Sequence, residues 1–356
     1  MIISAGIRIS RSMVRPARGG PAHSLDKAPG VATWFSTRRP WNGWPLPALV
    51  IPKGNPKNTL PMLTFDLHFH ANIHRMPARS KALRLGKIKW YLGEYGLDYL
   101  ASTEHSYKKP LEAYQRLAET AADLKTVIIP GVESVSAEGI DIIFLYDSED
   151  HLRWGLDQFR TFGWSVRDVA RIAADTGALS IVPHPFHLGR TSAGNVLSRR
   201  GYSQLLGMTD YVEIHNGSAL TFDSRLAGSR AGQLFEKTQL RLDRTIDLPM
   251  EDRGDGLGWA VSSDAHYPGE QYIVGCTEIP MAGAEAPLDF LRRRIRFAPY
   301  ALTQPSEVNS VNSLRLLRSL QGVLKEGLVK RCLRTSEQTR AAAIAVGLTY
   351  SVLPTL

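Results

Sequence analysis

A chain of 356 residues carrying a net charge of +9 has room for one large α/β domain or two smaller ones, and its charge invites comparison with nucleic-acid and membrane binders. No stretch approaches the roughly 18 unbroken apolar residues of a membrane-spanning helix, so the expectation is a cytoplasmic protein with no membrane partner. The charge itself lies mostly at the front: residues 1–61 hold nine basic residues and one acid, leaving 34 basic and 33 acidic residues for the rest, so the body is nearly neutral and carries no global polyanion-binding signature.

Residues 1–61 also hold nine of the 21 prolines and show neither helical nor strand period, as expected of a disordered Pro/Arg-rich extension. Its Arg- and Ser-containing, acid-poor composition resembles an organellar transit peptide, but Pro16, Pro21 and Pro29 would interrupt the amphipathic helix such peptides form. Met62, directly before the first predicted strand, is an alternative start.

From Met62 onward, short runs rich in β-branched and aromatic residues alternate with helical stretches, the pattern of βα units around parallel strands. In chain order the predicted strands are Leu63–Phe69, Leu97–Ser102, Thr126–Gly131, Ile140–Tyr146, Leu179–Pro183, Tyr211–Ile214 and Trp259–Ser263. Predicted helices are Ser80–Tyr95, Leu111–Leu124, Ser165–Thr176, Arg225–Leu240 and Pro287–Ile295, with Asp175-Thr176-Gly177 as a carboxyl-terminal stop. Seven such units point to an α/β barrel over 62–300. Beyond it, 301–356 reads as a helical segment, amphipathic over Val311–Leu328, that packs on the barrel rather than binding a partner. Cys276 and Cys332 lack disulfide or Cys-x-x-Cys spacing, which suits a reducing compartment.

The histidines and acids sit at the strand ends. In Asp66-Leu-His68-Phe-His70 the pleat places Asp66, His68 and His70 on one face, and histidines at i and i+2 form a chelating pair for a divalent ion. Glu104-His105, Glu133, His184, His215 and the pair Asp264 and His266 follow at later strand ends. One such histidine is more often a satisfied core residue than a ligand. Eight of ten on strand-end loops, which in a barrel share one mouth, point instead to a metal centre.

The set Asp66-Leu-His68-Phe-His70, Glu104-His105, Gly131-Val-Glu133, His184-Pro185, Glu213-Ile-His-Asn216 and Ser263-Asp264-Ala-His266 resembles, in order and spacing, the polymerase and histidinol phosphatase (PHP) superfamily of metal-dependent phosphoesterases. The resemblance covers residues 63 to about 300 and implies a distorted (β/α)7 barrel with C-terminal helices. It further implies two or three divalent ions (Zn, Mn or Fe): His68, His70, Glu133 and Asp264 for the first, Glu133 bridging to a second beside His184, and His105 with His266 for a third. Asp141 stands where the family places another histidine, His74 is the nearest candidate for a missing third-site ligand, and Glu104 replaces the usual Asp, so binuclear and altered trinuclear centres both remain open. Cations beside the metals, His187 and Arg190 foremost, then Arg75, His74 and Lys108, are candidates for phosphate recognition, and His215 for shaping the pocket. Trp90, Trp154 and Trp164 support no nucleic-acid inference.

The implied activity is hydrolysis of a small phosphomonoester or nucleotide by metal-activated water, with no obligate protein partner. Its rivals are an exonuclease or oligonucleotide phosphatase and a catalytically silent metal-binding scaffold. A carbon–nitrogen hydrolase of the amidohydrolase type also opens with His-x-His, but bridges its metals with a lysine where this chain has Glu133.

Overall fold

The computed structural model describes residues 62–158, 160–186, 191–218, 256–268, 270–271, 273–283, 285–302 and 327–338. The extension 1–61, the expected helix Arg225–Leu240, most of Val311–Leu328, and His187 and Arg190 lie outside the described residues.

The strands are β1 (Leu63–Phe69), β2 (Tyr99–Ser102), β3 (Val127–Val135), β4 (Asp141–Leu145), β5 (Leu179–Val182), β6 (Tyr211–Asn216), β7 (Gly258–Ser262), β8 (Ile273–Thr277) and β9 (Ala298–Ala301). They form one sheet in the order β7-β6-β5-β4-β3-β2-β1-β8-β9. The helices are α1 (Ala78–Tyr95), α2 (Pro110–Ala121), α3 (Glu149–Gln158), α4 (Val169–Thr176), α5 (Ala193–Val196), α6 (Arg199–Leu206), α7 (Pro287–Arg292) and α8 (327–338).

Pairing is parallel through β1-β2-β3 and again through β5-β6-β7. The expectation of uniformly parallel βα units fails at β4, which is antiparallel to both its neighbours. The five residues 136–140 between β3 and β4 are too few for a crossover, which needs a dozen or more, so the chain turns back as a hairpin.

The sheet nearly closes on itself at β1, and that strand divides its edge between two partners. Its first half, Leu63–Phe65, pairs antiparallel with β8, while its end meets the exit of β7: the Asp264 N–H donates to the His68 carbonyl at 2.8 Å and the His70 N–H to the Ala265 carbonyl at 3.1 Å. This is a mixed α/β fold with a distorted, barrel-like sheet.

Alternation along β4 separates two apolar layers. Ile143 and Leu145 join Phe65, Ile129, Ile181 and Tyr211 with Leu288 and Phe290 of α7, and Phe65 stacks on Phe290 at 5.6 Å. Ile142 and Phe144 point the other way, into a layer with Leu152, Val169, Ile172 and Leu205 from α3, α4 and α6. A third group packs Ile88, Leu92 and Leu117 of α1 and α2 on Phe69 and Leu100. Strands buried on both faces read as continuous apolar runs, which is why most were visible in the sequence.

α1 and α4 stop at Gly96 and Gly177, whose φ angles of 60° and 66° a side chain disfavours. α8 is tied to the body by Lys330–Asp141, by Arg160–Glu337 at 3.1 Å and by Arg334 donating to the Ala137 carbonyl at 3.2 Å. Cys276 is buried and Cys332 exposed, both free. Among the described residues no helix is long and apolar enough to cross a membrane.

Candidate metal centre

Two register shifts aim the site residues. Between Asp66 and Phe69, β1 spends one residue more than β2 opposite it, and between Glu213 and His215, β6 does the same against β7. Such bulges re-aim side chains, and they correct the simple pleat reading of Asp66-Leu-His68-Phe-His70. His68 and His70 turn into the cluster. Asp66 turns to Ser263, accepting from its backbone N–H at 3.0 Å and its hydroxyl at 2.5 Å. Burial raises the Asp66 carboxyl to about 6 despite those hydrogen bonds. After the second bulge, Glu213 and Asn216 both reach the cluster, through hydrogen bonds from Asn216 Nδ2 to Glu213 at 2.9 Å and to Asp264 at 3.1 Å. His215 is buried, and desolvation lowers it to about 4.

Glu133 is the hub. One of its oxygens lies 3.1 Å from His184 Nε2 and 3.8 Å from His68 Nε2, and the other lies 2.6 Å from His105 Nδ1 and 3.4 Å from His70 Nε2. Asp264 Oδ1 stands 3.4 Å from His68 Nε2 and 3.3 Å from His70 Nε2. The two Nε2 atoms of His68 and His70 are themselves only 3.0 Å apart. His266 completes the ring of imidazoles, its centroid 4.3 Å from that of His70.

Three sets of donor atoms each gather within 4.8 Å: His70, His105 and His266; His68, Glu133 and His184; and His68, His70 and Asp264. Every member is buried except His266, which is partly exposed. Burial opposes charge on Glu133 and Asp264, yet the surrounding imidazoles hold both well below the usual carboxylate range. For His68, burial is outweighed by Asp264, Glu133 and Glu213, and its pKa stands well above the ordinary imidazole value. Among the described residues Asp264 Oδ1 is buried without a hydrogen bond, and Glu133 Oε2 meets imidazole nitrogens of His105 and His70, at 2.6 and 3.4 Å. Buried anionic oxygens facing imidazole nitrogens at 3.3–3.4 Å suit a shared divalent cation, because polar groups taken out of water otherwise go unsatisfied. The donor set is therefore of the right chemistry for a metal of the nitrogen- and oxygen-liking kind.

Outside that ring stand the residues that orient it. Glu213 Oε1 is 3.3 Å from His68 Nδ1, and its other oxygen accepts the His184 N–H at 2.6 Å. Glu104 lies 3.5 Å from His70 Nδ1 and accepts the Asn72 N–H at 2.5 Å; although burial works against it, His70 holds its carboxyl down at about 2. Carboxylates on the far nitrogen of a ligating histidine fix its tautomer and strengthen it as a donor. His184 and Asp264 take φ angles of 27° and 48°, left-handed values that non-glycine residues adopt mainly where the surroundings enforce them.

The remaining sequence candidates fall elsewhere. Asp141 belongs to none of the three donor sets; both its oxygens meet Lys330 Nζ, at 3.2 and 2.9 Å. His74 is half-buried and also outside the sets, and burial with Arg75 nearby lowers its pKa. Arg75 is exposed, and Lys108 lies 5.7 Å from the Tyr107 ring. Lys330 was not singled out from the sequence. Glu213 and Asn216 were quoted only within a motif, and the signal that could have promoted them is an acid and an amide closing a strand that ends beside the histidines.

No protein-family model and no curated protein matches the chain. Solved structures do. PsfC from Pseudomonas syringae aligns at 15% identity and a TM-score of 0.46, over 76% of this chain and 99% of its own. A two-domain protein from Bacteroides vulgatus containing a predicted PHP-like metal-dependent phosphoesterase aligns at 17% identity and a TM-score of 0.40, over 68% of this chain and 65% of that one. The lesion-specific endonuclease PfuEndoQ from Pyrococcus furiosus aligns at 11% identity and a TM-score of 0.40, over 66% and 56% respectively. In the order of its motifs, and in the barrel-like sheet that brings them to one place, the chain resembles the PHP superfamily.

Proposed function

We propose that the chain is a metal-dependent phosphoesterase with a binuclear centre. The observation that carries this reading is Glu133, whose two oxygens serve two different pairs of imidazoles. An imidazole nitrogen has one lone pair and serves one ion, so His68 and His70 cannot each count in two of the donor sets. Two disjoint sets remain: His68, Glu133 and His184 for one ion, and His70, His105 and His266 for the other, with Asp264, 3.3 Å from His70 and 3.5 Å from His266, joining the second. Divalent ions held there would supply Lewis acidity toward phosphoryl oxygens and make water nucleophilic near neutral pH. Glu213 and Glu104 keep the two leading histidines in the ligating tautomer, and Asn216 holds Asp264 in place. Arg75, Lys108 and the undescribed His187 and Arg190 are the cations proposed to receive the substrate phosphate.

Metal analysis of the purified full chain, with hydrolysis of a panel of phosphomonoesters in added Mn or Zn, tests this. Two ions per chain and turnover abolished by His68→Ala or Asp264→Ala are expected. One ion or none, with no turnover across the panel, would leave a silent scaffold.

One observation favours an oligonucleotide substrate as the second reading. Of the six basic residues in 75–89, Lys81 and Lys89 pair with Glu112 and Asp123 and Arg84 donates to backbone carbonyls, while exposed Arg79 and Lys87 accompany Trp90, whose 58% exposure gives it a part that the sequence alone did not. That combination of cations and an aromatic face suits single strands. Affinity for a short oligonucleotide should then fall steeply as salt rises, and a flat salt response would remove this reading.

A further inference from the structure

Asp141 stands on the strand beside Glu133 and belongs to none of the three donor sets. It opens β4, where the antiparallel register sets Glu133 opposite Ile143 and Val135 opposite Asp141. Residues two apart on a strand share a face, so Asp141 lies on the same side of the sheet as Glu133. Glu133, His184 and His105 are among the charges that act on it. Its carboxylate is nonetheless absent from the His68–Glu133–His184 set, and Lys330 meets both of its oxygens, at 3.2 and 2.9 Å. Asp141 is buried, at 2% exposure, and Lys330 is partly buried, at 14%. Lys330 comes from α8, 189 residues further along the chain, and α8 is fixed by Arg334 on the Ala137 carbonyl and by Glu337 on Arg160. The ammonium is thus delivered by a docked element.

Three protein donors around a tetrahedral ion leave a position for water or substrate; a fourth closes the shell, as in structural sites. We propose that Lys330 withholds Asp141 from the ion held by His68, Glu133 and His184, and so keeps that ion's fourth position open. The proposal rests on the binuclear reading above. It makes α8 a working part of the centre, with Lys330 as a positioning residue acting through Asp141.

The test uses the full chain loaded with Co2+, with ion affinity measured by chelator competition and the cobalt absorption followed as inorganic phosphate is added. Wild type should hold ions and show a phosphate-dependent spectral change. Lys330→Met should bind one ion at least tenfold more tightly and lose the phosphate response, because Asp141 now fills the position. Adding Asp141→Asn to Lys330→Met should bring both readouts back to within about threefold of wild type. Unchanged affinity in Lys330→Met, or tighter binding that survives in the double variant, would overturn the proposal and leave the metal reading standing. Should Lys330→Met fail to fold, the charge-neutral double variant still decides, since a tenfold weaker ion there would mean that Asp141 ligates in the wild type. A wild type that holds no ion would remove the metal reading itself.

Discussion

Replacing Glu213 with Gln should disable one metal site while leaving the barrel folded. Glu213 Oε1 faces His68 Nδ1 at 3.3 Å and can only accept, so with an ion bound the ring would keep its proton on Nδ1 and present the Nε2 lone pair to the cluster. The second oxygen accepts from the His184 N–H at 2.6 Å and from Asn216 at 2.9 Å. Gln has one oxygen, and those two donors compel it to stay where the second oxygen was. Its amide NH2 then faces His68 Nδ1 and donates, which moves the imidazole proton to Nε2 and removes the ligand. Loss of such an orienting partner costs about 10- to 100-fold in metal affinity, or about 1.4–2.7 kcal/mol. The ion-free fold loses little, because size and two of three hydrogen bonds persist; a Tm within about 4 °C of wild type corresponds to about 1 kcal/mol in a chain of this size. Chelator competition on loaded protein and calorimetry on ion-free protein measure the two quantities separately. An ion affinity equal to wild type would refute the tautomer argument, and a Tm drop as large as that of a core truncation would show that Glu213 serves the fold instead.

Phe290→Ala, which empties the stack on fully buried Phe65, should cost about 3–5 kcal/mol and lower Tm by about 10 °C in a thermal melt. Gly131→Ala puts a Cβ 2.7 Å from Leu145 Cδ2, 3.1 Å from the Phe144 carbonyl oxygen and 3.3 Å from that of Ser102; about 1–3 kcal/mol of destabilisation should appear in urea unfolding, with weaker ion binding as Glu133 two residues on is displaced. His215 titrates at about 4 when folded and near 6.5 when unfolded, so between those values only the unfolded chain takes up the proton, and stability falls as pH drops through that window. The loss amounts to about 3 kcal/mol by pH 4. His215→Phe should remove that part of the acid slope; an unchanged difference between denaturant midpoints at pH 7 and 4.5 would count against it.

Most of the sheet was legible because its strands are apolar on both faces and its ligand-type residues sit at their ends. Leu63–Phe69 is observed with the expected bounds, and the donor sets draw on seven residues the sequence had already singled out. The direction of β4 was not read, although a five-residue link is too short for a crossover. α3, Glu149–Gln158, escaped because only Leu152 and Gly155 of its ten residues are buried, and β8, Ile-Val-Gly-Cys-Thr, is too short to show a period. Bulges are invisible to a period-two reading, so Asp66 was grouped with the histidines although its partner is Ser263. Lys330 carries no local signal at all: its role depends on its own helix coming to rest against Asp141, 189 residues away in the chain.

The division of β1 between β8 and the exit of β7 has a consequence for folding. Asp66 and Ser263, hydrogen-bonded across that seam, are 197 residues apart in sequence, and donors flank it on both sides: His68 and His70 on one, Asp264 and His266 on the other. An ion gripping both sides would act as a clasp on a loop of that length, stabilising the closed sheet by about 2.7 kcal/mol at a hundredfold excess over its Kd. Contacts so distant in sequence form late, because the loop must close before they repay it. Stripped of metal, the molecule should therefore open first along this seam, and proteolysis of the ion-free chain should begin beside Asp264 rather than in the helices that cover the other strands.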